Sequence, residues 1–388
     1  MSAPSFPPGA PASQVTGGAH ALAADIRVER GRRARRHSLV TISLATLVFA
    51  LFWMTLAYGE KIFTPVEIMG VIAGNDVPGA GFAVGEIRLP KALLGMLVGM
   101  AMGMAGHASQ TLLRNQLASP DIIGITSGAS ASAVFAILVL DWSGMRVTVL
   151  ALIAGITTAL LIYLLATPGI LGALWAYMRA AASGQPRPQL SMGSGSAQGG
   201  RLILIGIGVS AMFTSLISYL QLEAKIYDVN DALRWLSGSL SAAQWGHVPF
   251  MSGALIIFGG ILLWRSRDLS LLAHGNEAAT ALGVPVNAAS VSIILALVGL
   301  ASASAAATGP IAFLSFLAGP IAVRLLGPVD RSALIPSALM GACLVLGADL
   351  VGQHLAPVRL PVGVVTSLIG APYLLTQLIR INRQGTSA

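Results

Sequence analysis

Ten apolar runs, nine of them long enough to form a transmembrane helix, dominate this sequence. A hydrocarbon core about 30 Å thick requires about 20 mostly apolar residues per helical span. The runs lack the apolar/polar alternation of barrel strands, and backbone amides in lipid must bond within their own segment. The sequence therefore predicts an all-α, polytopic membrane protein. The predicted spans, of which the eighth is short and irregular, cover residues 38–58, 90–112, 122–140, 146–166, 201–222, 247–264, 288–308, 312–326, 333–353 and 362–380.

Composition supports a chain whose main solvent is lipid. Hydrophobic residues make up 55% and charged residues 10% of the sequence, whereas soluble domains carry roughly 25% charged residues. The net charge of +8 does not indicate nucleic-acid binding, because the arginines fall at the ends of apolar runs instead of along one polar face. The single cysteine, Cys343, excludes an internal disulfide or a multi-thiolate site and is interpreted as a packing residue. We expect no metal site and no cofactor.

The distribution of basic residues predicts the topology. With both termini inside, sixteen lysines and arginines lie on the cytoplasmic side and seven outside, as the positive-inside rule favours. Residues 1–37 form a predicted disordered cytoplasmic tail that ends in six arginines, and residues 38–382 form the transmembrane domain. Residues 383–388 form a short cytoplasmic tail. The expected location is the bacterial cytoplasmic membrane.

Two cytoplasmic loops interrupt the transmembrane domain. Residues 167–200 end in a stretch rich in glycine and serine, which predicts a flexible insertion. Residues 265–287 contain a short amphipathic helix over residues 276–282. We expect another protein to dock on this second loop.

Within the spans, glycine spacing and one acidic residue stand out. Gly95, Gly99 and Gly103 recur every four residues, which leaves one side of a helix bare for close helix packing. Asp349 is the one acid placed inside a span, and a carboxylate in lipid is costly enough to be a functional candidate. No second buried acid and no buried lysine or arginine is predicted beside it, so a structural role is favoured.

Several catalytic motifs are absent from the sequence. There is no H-E-x-x-H or G-x-S-x-G pattern, so an intramembrane hydrolase is not indicated. The phosphate-binding pattern G-x-x-x-x-G-K-[ST] is absent too, since the only lysines are Lys61, Lys91 and Lys225 and none follows a glycine. Any ATP that drives this protein must therefore be hydrolysed by another polypeptide.

Motifs along residues 40–382 resemble those of the FecCD permeases, which belong to iron-siderophore, haem and cobalamin ABC importers and have a BtuC-like fold. The matching segments occur in family order: R-L-P-K from Arg88, L-L-R-N-Q-L-A-S-P-D-I-I-G-I-T-S-G-A from Leu112, R-W-L-S-G-S-L from Arg234, L-L-A-H-G-N-E-A-A-T-A-L-G-V from Leu271, G-P-I-A-F-L from Gly309 and L-P-V-G-V-V-T-S-L-I-G-A-P from Leu360.

The resemblance implies a transport subunit that is not itself an enzyme. Spans two to five and seven to ten should form halves of opposite orientation, which let a central site open alternately to each side. The implied partners are two ATPase subunits, a second permease subunit (a copy of this chain or a paralogue) and a substrate-binding protein, lipid-anchored or periplasmic. The implied cargo is a ferric siderophore, with haem or cobalamin as alternatives.

The resemblance also assigns site residues. Three sets follow from it and from the chemistry of the side chains. The coupling segment to the ATPase comprises Leu272, Gly275, Asn276, Glu277, Leu282 and Gly283. The residues expected to contact the binding protein are Arg88, Lys91 and Arg359. Arg359 stands at a position where many members of the family have glutamate. Weakly polar residues on spans five and ten are expected to line the path, namely Ser210, Thr214, Ser218 and Thr366.

Two rival functions remain open from the sequence. A proton-coupled secondary transporter would also be a polytopic helical bundle, but it would usually need more buried acids. A receptor or scaffold without transport activity is the other.

Overall fold

Helices are the only regular elements in the part of the chain that the structure describes. This computed structural model describes residues 12–75, 77–121, 124–166, 179, 196–327, 332–355 and 358–385. The helices are α1 (Ala12–Ala57), α2 (Pro65–Ile72), α3 (Leu89–Leu112), α4 (Ile125–Leu138), α5 (Met145–Ala166), α6 (Ser196–Glu223), α7 (Ile226–Leu236), α8 (His247–Ala254), α9 (Gly260–Trp264), α10 (Ser266–Leu272), α11 (Asn276–Ala281), α12 (Val286–Thr308), α13 (Leu314–Leu326), α14 (Leu334–His354) and α15 (Val362–Gly385). Two π-helical segments, Gly81–Arg88 and Leu255–Gly259, lead into α3 and α9.

The predicted all-α membrane architecture is confirmed. Within the described residues, eight helical segments are long and apolar enough to cross a membrane. Two shorter apolar helices, α4 and α13, coincide with the third and eighth predicted spans. Together these segments account for the apolar runs of the sequence.

The amino-terminal segment differs from the sequence prediction. A disordered tail was expected through residue 37, but α1 begins at Ala12 and continues without a break to Ala57. The sequence between Ala19 and Arg36 contains alanines and arginines, which are strong helix formers, and it is continuous with an apolar span that already forms a helix. Helix propagation from that span explains the extension. Most of the predicted insertion, residues 167–178 and 180–195, lies outside the described residues.

Helices α3, α12 and α14 form the centre of the bundle. In the most apolar stretch of the span that contains α3, 67% of the residues are buried, and in the corresponding stretches of α12 and α14 the share is 72%.

The contact between α3 and α14 depends on glycine residues, because the two helix backbones approach each other closely. A Cβ atom added to Gly99 would lie 2.5 Å from the Gly341 carbonyl oxygen, and one added to Gly103 would lie 2.1 Å from that of Ser337. Gly95 instead faces the Leu240 side chain.

The two short helices share a local geometry. Each follows a non-helical segment, which includes residues 115–121 and Gly124 before α4 and residues 309–313 before α13. The residue that precedes each helix is left-handed: Gly124 has φ 91° and Phe313 has φ 61°. In the expected inverted repeat, the third and eighth spans are equivalent. Interrupted helices at corresponding places in two such halves are typical of transporters.

Candidate functional site

The predicted coupling segment forms a compact projection between α10 and α12. Helix α11 spans only Asn276–Ala281, and left-handed glycines bound it: Gly275 has φ 116° and Gly283 has φ 81°. Only glycine adopts these conformations at little cost. The two turns therefore set α11 apart as a distinct unit between α10 and α12.

One side of α11 packs against the hydrophobic core, and the other side is exposed. Ala279 is fully buried, whereas Glu277 is exposed and Leu282 is 65% exposed. An apolar side chain presented on a rigid turn is suited to an apolar cleft in another protein. Asn276 and Gly275 are half-buried at the start of the helix.

Leu272 does not belong to this contact surface, contrary to the sequence prediction. Its side chain is only 1% exposed, and it lies with Leu269 in the main hydrophobic core beside Leu112 and Leu113. The sequence motif contained no information about which leucine of the segment points inward. Leu272 anchors the projection to α3 instead of contacting a partner.

Local contacts fix the start of α10, and one residue of the segment before α4 lies beside Gly275. The Arg265 guanidinium bonds to Asp268 at 2.9 Å and stacks over the Trp264 ring at 4.3 Å. A Cβ atom at Gly275 would lie 3.7 Å from Nη1 of Arg114. Because Arg114 belongs to the irregular segment before α4, the projection adjoins that segment directly.

At the predicted outer end, Arg88 has an internal role. Its guanidinium donates to the carbonyl oxygens of Leu56 (2.9 Å), Ala57 (3.1 Å) and Lys61 (2.8 Å). It also lies over the Phe63 ring at 5.0 Å. A cation that bonds the last carbonyls of a helix stabilises its carboxyl end. Arg88 therefore caps α1 and fixes the loop that follows.

Lys91 also has an internal partner, which corrects the prediction that Asp349 lacks one. The Lys91 Nζ atom lies 2.9 Å from Oδ1 of Asp349, and the two side chains are 15% and 6% exposed. Gln353 donates to the second carboxylate oxygen. Lys91 and Asp349 are distant in sequence, so only the packing of α3 on α14 brings them together.

Of the three expected docking residues, Arg359 is the most exposed, at 76%, and it pairs with the exposed Glu60.

Three of the four expected path residues lie on α6. Ser210, Thr214 and Ser218 are spaced by four residues, and so they share one side of the helix. Thr214 and Ser218 are exposed, and each hydroxyl donates to the carbonyl four residues earlier. Ser210 is half-buried against α4, where its hydroxyl lies 3.2 Å from that of Ser127.

Thr366 is buried in this structure and does not face an open path. It is 2% exposed, and its hydroxyl donates to the Ala312 carbonyl at 2.8 Å and to that of Gly363 at 3.1 Å. The contact ties α15 to the irregular segment before α13. The sequence predicted the helix that contains Thr366, but it could not indicate that the Thr366 side chain points away from an open path.

A buried polar cluster between the halves was missed from the sequence. The Ser315 hydroxyl donates to Oδ2 of Asp121 at 2.9 Å, and Ser119 bonds to both residues, at 2.8 Å to Ser315 and 3.2 Å to Asp121. Burial raises the pKa of the Asp121 carboxyl to about 6, against the lowering effect of these hydrogen bonds. One sequence feature could have indicated this cluster: Asp121 is an acid that directly precedes an apolar run, in the segment S-P-D.

Comparison with known proteins identifies the family. The model of the FecCD transport family matches residues 46–173 and 173–380. This chain belongs to the FecCD transport family.

FecCD relatives of similar length include bacterial iron-chelate permeases. The achromobactin transport system permease protein of Dickeya dadantii is 33% identical over 358 residues, 90% of this chain and 95% of that protein. The iron(3+)-hydroxamate import system permease protein of Bacillus subtilis is 32% identical, over 87% of this chain and 95% of that protein. The ferric enterobactin transport system permease protein of Escherichia coli is 32% identical, over 90% and 98%.

The FecCD assignment agrees with the architecture. A solved metal-chelate type ABC transporter, in an inward-facing conformation, superposes with a TM-score of 0.72 over 88% of this chain and 99% of that chain, at 24% identity. At that identity the superposition shows the shared fold alone. The fold expected from the motifs is therefore confirmed.

Proposed function

We propose that this FecCD protein is the permease subunit of an ATP-driven importer that carries a ferric siderophore across the bacterial cytoplasmic membrane. The relatives reported above are named for achromobactin, iron(3+)-hydroxamate and ferric enterobactin. Two of these names specify a ferric ion held by an organic chelator. A chelate of that size requires a wide, weakly polar path instead of a tight ion site.

The observation that carries the ATP-driven mechanism is the projection at α11. The sequence has no phosphate-binding loop of its own, so the motor must be a separate ATPase. The exposed Leu282, held between the turns at Gly275 and Gly283, would supply an apolar contact for that partner. In this proposal, ATP binding moves the ATPase pair, and α11 transmits the movement to the permease.

A second permease subunit would complete the path. The most apolar window of α6 is only 6% buried, and that of α15 is 28% buried. A second copy or a paralogue that covered these faces would enclose Thr214 and Ser218 at the interface. Thr366 would reach the path only if α15 moved away from the segment of residues 309–313.

Orientation and docking complete the proposal. Both termini and α11 would face the cytoplasm, and the substrate-binding protein would approach the opposite end. Arg359, which is 76% exposed, is the docking residue best placed to contact it. Arg88 and Lys91 would act indirectly, because they hold α1 and α14 in place.

Substitution of Leu282 by aspartate tests the coupling role. We expect the variant to assemble normally but to lose most chelate uptake and binding-protein-stimulated ATP hydrolysis, because a charge would enter an apolar cleft. Both are measured in vesicles that contain the ATPase and the loaded binding protein. The matched control is Leu282→Met, which keeps an apolar side chain at the same exposed position and should keep both activities. Normal stimulated uptake by Leu282→Asp would remove the docking role.

The same vesicles distinguish the rival functions. A proton-coupled transporter would continue uptake after ATP depletion and would stop when the proton gradient is collapsed. A scaffold would show no uptake with any combination of partners. The proposal requires uptake that depends on ATP and persists without a proton gradient.

A further inference from the structure

The amino-terminal extension of α1, which the proposed orientation places in the cytoplasm, is a strongly basic helix. Residues 25–36 contain six arginines and only two acids, Asp25 and Glu29. Glu29 pairs with Arg33 at 3.3 Å. The segment therefore retains a net positive charge, and it joins an apolar span without any break in the helix.

The length of this helix places its basic part at the membrane surface. The span Arg27–Ala57 has 31 residues, which corresponds to about 46 Å at a rise of 1.5 Å per residue. The hydrocarbon core is only about 30 Å thick. If the apolar residues up to Ala57 fill that core, the arginines lie in the headgroup layer and just beyond it.

The arginines surround the helix instead of forming one face. At 100° per residue, the six positions leave no angular gap wider than about 80°, and the four that point away from Arg33 and Arg36 still cover about 200° of the circumference. A single protein partner contacts one face of a helix, whereas lipid headgroups surround a helix that emerges from the bilayer. The angular distribution therefore favours headgroups over a protein surface.

Contacts at its carboxyl end attach the segment to the rest of the protein. Nε of Arg36 donates to the Leu325 carbonyl at 3.2 Å, close to the end of α13, and Nε2 of His37 lies 3.4 Å from the Ser332 carbonyl oxygen. Further from the bundle, four arginines are exposed: Arg27, Arg30, Arg32 and Arg35. Guanidinium groups bind phosphate through paired N–H donors.

We propose that Arg27, Arg30, Arg32 and Arg35 bind the phosphate groups of anionic phospholipids in the cytoplasmic leaflet. A basic cluster directly beside a membrane span attracts anionic lipid electrostatically. This surface is separate from the cargo path and from α11, and its role does not depend on which molecule is transported. The bound lipids hold the end of α1 against α13.

Lipid selectivity of the full chain tests the proposal. The protein is equilibrated in nanodiscs of phosphatidylglycerol and phosphatidylcholine in equal amounts, and the lipids that it retains in mild detergent are counted by native mass spectrometry. We expect the quadruple variant Arg27→Gln, Arg30→Gln, Arg32→Gln, Arg35→Gln to lower the ratio of retained phosphatidylglycerol to phosphatidylcholine by roughly fivefold or more. The matching Arg→Lys variant should keep most of it. Both replacements are good helix formers, so circular dichroism should not change.

Three results would overturn the proposal. The first is an unchanged lipid ratio in the glutamine variant. The second is a lysine variant that loses as much selectivity as the glutamine variant, because charge would then not be the cause. The third is that the glutamine variant loses ATPase binding in discs of phosphatidylcholine alone, which would assign these arginines to a protein partner.

Discussion

The ion pair between Lys91 and Asp349 joins α3 to α14 near the predicted outer end. Both side chains are largely withdrawn from solvent. Removing one member of such a pair leaves an uncompensated charge, which costs more than removing both. This asymmetry separates a structural role of Lys91 from a role in docking the binding protein.

We therefore expect Lys91→Met to destabilise the protein by about 3 kcal/mol. The double variant Lys91→Met, Asp349→Asn should recover most of that loss, because no buried charge remains. Thermal unfolding of the solubilised protein, followed by fluorescence-detected size exclusion, measures both changes. If Lys91 were only a docking residue, Lys91→Met would weaken binding-protein affinity while the unfolding midpoint stayed at the wild-type value.

At the scale of helices, α3 and α14 pack so closely that their backbone atoms are in direct contact. Gly99 and Gly341 approach each other so closely that a Cβ on either would overlap the carbonyl oxygen of the other. Backbone atoms in two packed helices cannot move aside as the end of a flexible side chain can. Small residues at helix contacts allow this approach in membranes.

Gly99→Leu should accordingly prevent normal assembly, with a cost of at least about 3 kcal/mol from overpacking. The matched control is Gly347→Leu on α14, where nothing lies within 4 Å of an added Cβ. The fraction of monodisperse protein after solubilisation should fall for Gly99→Leu and stay near wild type for Gly347→Leu. Equal yields would show that the helices can separate at little cost.

The elements also show which features can be predicted from the sequence. The spans follow from apolar runs, and the short helix predicted over residues 276–282 is found at Asn276–Ala281, because these signals are local. The inward direction of Leu272 and Thr366 is set by neighbouring helices, so no local pattern reveals it. The contacts of Lys91 with Asp349 and of Asp121 with Ser315 join residues far apart in sequence, and they exist only once the helices have packed.

Across the whole molecule, a continuous set of contacts links α11 to α15. Gly275 adjoins Arg114 in the segment before α4, and that segment contains Asp121, which accepts a hydrogen bond from Ser315 at the start of α13. Residues 312 and 313, just before α13, contact α15: Phe313 packs against Gly370, and the Ala312 carbonyl accepts from Thr366. Contiguous contacts of this kind can transmit a movement between sites, but only measured coupling establishes that they do.

If movement passes through the Asp121 and Ser315 contact, Ser315→Ala should lower chelate uptake per ATP hydrolysed by roughly threefold to thirtyfold. Binding of the ATPase should remain, because α11 is unchanged. The control is Ser132→Ala on α4, whose hydroxyl donates to the Ala129 carbonyl of its own helix. The double variant Asp121→Asn, Ser315→Ala should be no worse than the more impaired of its single variants, because the two residues act through one contact. Losses that simply add in the double variant would show that each residue acts separately, and transmission would then have to follow another route.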